Sequence, residues 1–299
     1  MPNQSPLTAK NIPATHNSAP SELQVLKVAF TPDPDDAYAW WAVCSNRLGI
    51  PGCRIETFAR HIQEINESCR VHQEYDIAAV SSAAYPFLSA NYAILPAGAS
   101  VGRGYGPALA SRTLQTDQDL VAGMRVGIPG ELTTGAVLLR LFYPGVQTVE
   151  LPFDQVAPAI IRGELDAGVL IHEELLNWRA AGLRKIACLG QKWSESTGLP
   201  LPVGLNVVRR ALGKNLIRRI GTLVRESMQE ASSHRDEASK FAMSYSREAE
   251  PEIGSRFIAM FANQDTIKLD ADCLEALRVL YQRAHERGLI DRIPAVDVI

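Results

Sequence analysis

The residues best suited to chemistry follow short apolar runs of the sequence, where buried strands are expected to end. In open α/β sheets, ligands bind where strands end and helices begin. Four such runs are followed by polar groups: LKVAF (26–30) by Thr31, Asp33, Asp35 and Asp36, YDIAAV (75–80) by Ser81 and Ser82, RVGIPG (125–130) by Thr133, Thr134 and Gly135, and LDAGVLI (165–171) by His172, Glu173 and Glu174. Hydroxyls and unpaired N–H groups at helix starts suit a small carboxylate. Taken singly, each Ser or Thr fits a helix cap equally well. Together they indicate a shared cleft.

His172 differs from the other histidines, which lie in the N-terminal segment or in polar helical stretches. It alone ends a strongly apolar run, GVLI. An imidazole has an ordinary pKa near 6.5, so at a strand end it can act as a general base. A structural histidine is the alternative interpretation. Glu173 and Glu174 either orient His172 or simply cover the following helix.

Other motifs give weaker indications. Asp35 and Asp36 form either a pair of acids in the cleft or helix caps. GRGYGP (102–107) leads into a strand-like segment instead of a helix, so it is a turn at a domain crossover and not a dinucleotide-binding loop, with Arg103 as a candidate anion contact. The GxSxG elbow of hydrolases does not occur, so Ser81 and His172 do not form a hydrolase constellation.

The composition favours an ordinary globular protein. The chain has 299 residues, is 46% hydrophobic and 21% charged, and carries a formal charge of −3. This balance argues against nucleic acid as a main partner, and no apolar stretch is long enough for a membrane span. The odd number of cysteines and the lack of CxxC spacing argue against a zinc site or a disulfide framework. The polar segment 1–25 has no apolar core of a secretory signal and is predicted to be a disordered tail.

Strand-like and helical segments alternate from residue 26 to residue 210, which predicts an α/β architecture with mainly parallel sheets. The units form two groups. The predicted first lobe contains residues 26–112 and 204–299, including C-terminal helices, and the predicted second lobe contains residues 113–203. The apolar spacing predicts that residues 213–248 and 250–288 are helical.

Five segments resemble one known family in the same order along the chain. They are TPDPDDAYAWW (31–41), SSAAYPFLSANYAILPAGASVGRGYGP (81–107), VGIPGELTTGAVLLRLF (126–142), AGVLIHEELL (167–176) and TGLPLPVGLNVVRR (197–210). The family is that of 1,4-dihydroxy-6-naphthoate synthases, which act late in the futalosine route to menaquinone. The resemblance runs from about residue 26 to about residue 290, and the pairing of LIHE with the later TGLPLPxG is its most specific part.

The resemblance implies a two-lobed fold like that of type II periplasmic binding proteins, with a central ligand cleft. It implies a cytoplasmic lyase that converts cyclic dehypoxanthine futalosine, an aromatic carboxylate, to 1,4-dihydroxy-6-naphthoate, with no metal or organic cofactor. His172 matches the family's base. Ser81 matches its S-x-A-A-Y segment, and Thr133, Thr134 and Gly135 match its T-T-A turn. Asn66 and Asp36 are the further substrate-binding candidates. The resemblance does not give the oligomeric state.

Two departures from the family and two alternatives remain. The family often has Asn-Asp where this chain has Asp35-Asp36, which puts the role of Asp35 as a contact to an anionic substrate in doubt. Its T-T-A is T-T-G here, and Gly costs about 1 kcal/mol relative to Ala inside a helix. The fold also suits a non-catalytic cytosolic binding protein or sensor for a small carboxylate. Chorismate dehydratase, of the same superfamily, is the other alternative.

Overall fold

The computed structural model describes residues 23–246 and 251–299. Residues 1–22 of the predicted tail lie outside them. The first strand begins at Gln24, which pairs with Cys53, so the sequence placed the end of the tail too late. The strands are β1 (Gln24–Phe30), β2 (Cys53–Ala59), β3 (Ile77–Ser81), β4 (Tyr92–Ile94), β5 (Ser100–Gly102), β6 (Ala108–Ser111), β7 (Arg125–Ile128), β8 (Gln147–Glu150), β9 (Ala167–Leu170), β10 (Arg184–Cys188) and β11 (Leu201–Arg209).

Helices follow most of these strands and continue after the last one. They are α1 (Pro34–Cys44), α2 (Ile62–Val71), α3 (Tyr85–Leu88), α4 (Thr134–Phe142), α5 (Phe153–Ile161), α6 (Glu174–Asn177), α7 (Leu189–Thr197), α8 (Lys214–Ser233), α9 (Arg235–Met243), α10 (Pro251–Phe261), α11 (Gln264–Ile267) and α12 (Ala271–Glu286). In the part of the chain that the structure describes, the length and apolarity needed to cross a membrane are not combined in any helix.

The described residues form two mixed sheets. The first has the order β2-β1-β3-β11-β4, with β5 also paired to β11. Its β1 is parallel to β2 and β3, whereas β11 is antiparallel to β3, β4 and β5. The second has the order β10-β6-β9-β7-β8, with β7 parallel to β8 and β9, and β6 antiparallel to β9 and β10. Five of the nine pairings among the described strands are antiparallel, so the expectation of mainly parallel sheets was wrong.

The antiparallel strands β6 and β11 are those that carry the chain from one half of the molecule to the other. β6 lies in the second sheet, whereas a boundary after residue 112 places it in the first lobe. A short apolar run does not reveal which sheet it will join, because both sheets bury such strands. We propose the same two lobes with the crossings placed before Ala108 and before Leu201.

Local sequence explains the helix starts that face the space between the sheets. Asp33 caps α1, its side chain accepting a bond from the backbone N–H of Asp36, and Pro34 occupies the first helical position. Thr133 caps α4 in the same way, accepting from the N–H of Ala136. These caps fix the turns that follow β1 and β7, and so they fix the polar residues in those turns.

Candidate active site

A cleft lies between the two sheets, with about 670 Å³ of empty space that includes its opening to solvent. Its walls come from the turn after β1, the ends of β3 and β9, the start of α4, strand β11 and helix α10. The lining residues are Thr31, Asp33, Asp35, Asp36, Ile62, Ala79, Val80, Ser81, Gly98, Ser100, Pro107, Thr133, Thr134, Gly135, Ile171, His172, Leu175, Val203, Gly204, Leu205, Phe257 and Phe261. The residues that the sequence assigned to catalysis or substrate binding all line the cleft, with the exception of Asn66. The further polar candidates Ser82, Glu173 and Glu174 do not line it.

His172 enters the cleft from the second lobe, two residues after β9. Its backbone is left-handed, with φ of 53°. This conformation is uncommon for a residue with a side chain, and such strain clusters at functional sites. The ring packs edge-on against Phe153, with 4.7 Å between centroids. Its Nδ1 atom pairs with Oδ2 of Asp33, which comes from the first lobe.

Asp33, Asp35 and Asp36 are all buried at the start of α1. Thr31 Oγ1 lies 2.9 Å from Asp33 Oδ2 and 2.5 Å from Asp36 Oδ2 and shares its single proton between them. The Thr31 N–H also donates to Asp36 at 2.9 Å. Ser100 Oγ donates to Asp35 Oδ2 at 3.1 Å. The sequence left capping and cleft roles open for Asp35 and Asp36; the cap is Asp33, and both of the others line the cleft.

Burial raises the pKa of each of these carboxyls. Desolvation and the charge of Asp36 raise the pKa of Asp33 to about 8. Desolvation and the charge of Asp35 raise the pKa of Asp36 to about 6. Desolvation and the charge of Asp33 raise the pKa of Asp35 well above its ordinary value. Carboxylates this close cannot all ionise readily. The cluster therefore retains a proton near neutral pH and can donate a hydrogen bond inside the cleft.

Among the described residues, these three acids also have a spacing that would fit a metal ion. One oxygen from each of Asp33, Asp35 and Asp36 lies within 4.8 Å of the others. Oxygen ligands of this kind suit Mg²⁺ or Ca²⁺. The structure gives most of these oxygens hydroxyl, backbone N–H or imidazole partners, whereas Asp35 Oδ1 is buried without one. That pattern indicates a hydrogen-bonded acid cluster, and we assign no metal to it.

Ser81 lies at the end of β3 and is held from behind by Asn66 of α2. The Asn66 amide accepts from the Ser81 N–H at 2.9 Å and donates to Ser81 Oγ at 3.1 Å. Asn66 is fully buried and does not line the cleft, so its contribution is to orient Ser81. Within the described residues, the Ser81 hydroxyl proton has no acceptor, which leaves it available to a ligand.

Thr133, Thr134 and Gly135 form the start of α4. Both threonine hydroxyls are engaged by the protein: Thr133 donates to Gly130 O at 2.7 Å, and Thr134 donates to Val203 O at 2.7 Å. A Cβ atom at Gly135 would lie 2.8 Å from Val169 Cγ1, so the glycine allows close packing against β9. This turn therefore offers a ligand mainly the N–H groups of the first turn of α4.

Some residues that line the cleft were not predicted, and some candidates from the sequence do not line it. Phe257 and Phe261 of α10 line the cleft, but nothing in their sequence pattern distinguishes them from ordinary core residues. Glu173 is buried and accepts a bond from Ser246 Oγ, next to α9. Arg103, a candidate anion contact, instead pairs with Asp265 and Asp272 outside the cleft. Across the described residues, neither lysine nor arginine lines the cleft.

Two lobes of mixed α/β sheet with a polar cleft between them define the fold of type II periplasmic binding proteins. The alkanesulfonate-binding protein SsuA from Xanthomonas axonopodis, bound to MOPS, has this fold. It superposes with a TM-score of 0.71, at 14% identity, over 93% of this chain and 99% of its own. At that identity, the likeness concerns the fold alone.

The sequence comparisons are more specific. A family model described as menaquinone biosynthesis matches residues 26–286, and the chain belongs to this family. A 1,4-dihydroxy-6-naphthoate synthase from Streptomyces coelicolor is 33% identical over 272 residues, which is 89% of this chain and 94% of the relative. A crystal structure from Archaeoglobus fulgidus is 37% identical, with a TM-score of 0.84, over 89% of this chain and 98% of that one.

Proposed function

We propose that the protein is a lyase of menaquinone biosynthesis that converts cyclic dehypoxanthine futalosine to 1,4-dihydroxy-6-naphthoate, with His172 as the general base. The main support for the proposal is the position of His172, which has a left-handed backbone and lies in the cleft just after β9. The relatives of this chain are such synthases. We further propose that the enzyme acts in the cytoplasm.

The cleft suits an aromatic carboxylate. Apolar side chains such as Ile62, Leu205, Phe257 and Phe261 offer surfaces for a fused ring system. Because the described lining contains neither lysine nor arginine, the carboxylate would be held by neutral donors. The Ser81 hydroxyl and the N–H groups at the start of α4 supply them, assisted by the dipole of that helix.

The reaction then requires a base held in the correct position and a cleft from which water is excluded. His172 removes a proton from the sugar-derived ring, which starts a retro-aldol-like opening of that ring. Release of the small sugar-derived fragment leaves the naphthalene ring, and its aromatisation drives the reaction forward. Excluding water from the closed cleft strengthens the electrostatic interactions of the base.

Turnover of cyclic dehypoxanthine futalosine by the purified protein tests the proposal, with the naphthoate product measured by chromatography. We expect product from the wild type and a loss of about 100-fold or more in kcat for His172→Ala, since general-base catalysis contributes about 10²–10⁴-fold. The exposed His72 provides the matched control, and His72→Ala should keep the full rate. A wild-type protein that binds naphthoate but forms no product would be a binding protein or an enzyme for another substrate.

A further inference from the structure

We propose that Asp33 is the positioning residue of the base: its carboxylate holds His172 with the ring proton on Nδ1, so that Nε2 is the nitrogen that accepts the substrate proton. The inference rests on the proposed function, because it assigns a partner to the base of that reaction. Nothing in the sequence pattern pairs these two residues, which are separated by more than a hundred positions.

The geometry of the pair carries the proposal. Oδ2 of Asp33 lies against Nδ1 of His172, and the two side chains are only 5% and 13% exposed. In a neutral imidazole one nitrogen carries the proton, and a carboxylate partner selects the nitrogen that it contacts. The edge-on contact with Phe153 fixes the plane of the ring as well. The left-handed backbone of His172 shows that the chain accepts strain to hold this arrangement.

Asp33 is itself fixed by its surroundings. Its Oδ1 accepts from the backbone N–H of Asp36, and its Oδ2 accepts from Thr31 Oγ1. Both donors favour the ionised carboxylate, which is the form that accepts the Nδ1 proton. A carboxylate held at both oxygens keeps a constant direction toward its partner.

The local electrostatics add a second contribution. Burial and the charge of Asp36 raise the pKa of Asp33 to about 8, so this anion is poorly stabilised on its own. When Nε2 takes up the substrate proton, the imidazole becomes positively charged beside that anion. The attraction is stronger in the buried cleft than it would be in water. The pair is therefore arranged to favour the protonated form of the base.

Asp33 and His172 also come from different lobes. Asp33 follows β1 of the first sheet, and His172 follows β9 of the second. If the lobes separate, the two atoms separate with them, and the base loses its partner. The arrangement thus makes a competent base only when the cleft is closed around its contents.

Four variants test the inference: Asp33→Asn, Asp33→Glu, His172→Ala and the double variant Asp33→Asn/His172→Ala. Asn caps helices as well as Asp does, so Asp33→Asn should fold with α1 intact. Loss of the carboxylate behind a catalytic imidazole lowers kcat by up to about 10⁴-fold in serine proteases. We expect Asp33→Asn to lower kcat roughly 100-fold or more and to change KM by less than about threefold. Asp33→Glu should restore part of the rate.

The double variant separates positioning from a structural role. If Asp33 acts through His172, Asp33→Asn should cause no further loss once His172 is alanine. An equal loss in both backgrounds, or full kcat in Asp33→Asn, would overturn the inference while leaving His172 as the base. A wild-type protein without activity would instead refute the proposed function. Thermal unfolding of every variant shows whether any loss comes from misfolding.

Discussion

The hydroxyl of Thr134 should contribute to both stability and substrate affinity, because it joins the two lobes. Thr134 begins α4 and is only 1% exposed. Its Oγ1 donates to Val203 O of β11 at 2.7 Å and accepts from the Ala83 N–H at 3.2 Å. Thr134→Val keeps the shape but leaves both backbone groups without a partner. An unsatisfied buried group costs about 1–3 kcal/mol, and the Val203 carbonyl is only partly buried, so we expect a total loss of about 2–4 kcal/mol.

Thr134→Ser is the matched control, because it keeps the hydroxyl and loses only a methyl group, worth about 1 kcal/mol. The free energy of unfolding in urea should therefore be lower for Thr134→Val than for Thr134→Ser. KM should also be higher for Thr134→Val, since the valine no longer links α4 to the first lobe. A valine variant as stable as the serine variant, with an unchanged slope against urea, would refute the reasoning.

Two further predictions follow from the site. Asn66→Ala removes both hydrogen bonds to Ser81, so we expect it to raise KM by a larger factor than it lowers kcat, as measured by steady-state kinetics. The free energy of unfolding in urea should fall by about 1–3 kcal/mol. The acid cluster should make the protein less stable as the pH rises. Because the folded pKa values of Asp36 and Asp33, about 6 and about 8, exceed the unfolded value of 3.8, the folded state binds more protons in that range. The stabilisation is complete below the unfolded pKa and is lost as the pH rises through the folded ones, with a slope of at most about 1.4 kcal/mol per pH unit for each proton. Urea unfolding at pH 5 and pH 8 measures it, and Asp36→Asn should flatten the difference; an equally steep fall in that variant would contradict the assignment.

The sequence predicted the parts of the site that depend on local pattern. An apolar run followed by a polar residue marks a strand end, and this pattern correctly placed Ser81, Thr133 and His172 at the cleft. The family resemblance supplied Asn66, which lies one contact behind the cleft. The alternation of strands and helices predicted the α/β class, and the family resemblance supplied the two-lobed fold, which the structural neighbours confirm.

The sequence could not predict which residues meet across the cleft. Asp33 was placed in the turn after β1, but its contact with His172 depends on how two separate sheets approach each other. The same limit applies to β6, whose four residues carry no mark of the sheet they join, and to β10, which the sequence pattern did not single out. Long-range pairings of this kind depend on how whole lobes pack. The strand and helix propensities of a short segment carry little information about that packing.

The fold that this chain shares with SsuA does not by itself decide whether a cleft captures a ligand or transforms it. A two-lobed cleft that only captures an anion needs donors and a hinge. Donors are present here at Ser81 and at the start of α4, but the described lining adds a strained histidine and three buried acids. Buried acids oppose the entry of an anion less when they keep protons. Burial raises the pKa of Asp35 well above its ordinary value, so the cluster keeps a proton even when Asp33 is the carboxylate that faces His172. Such a cluster weakens simple binding and destabilises the protein at higher pH. A base that becomes positively charged during turnover, however, is stabilised by a nearby acid cluster. We therefore assign the acid cluster to catalysis by His172 and not to binding of the substrate.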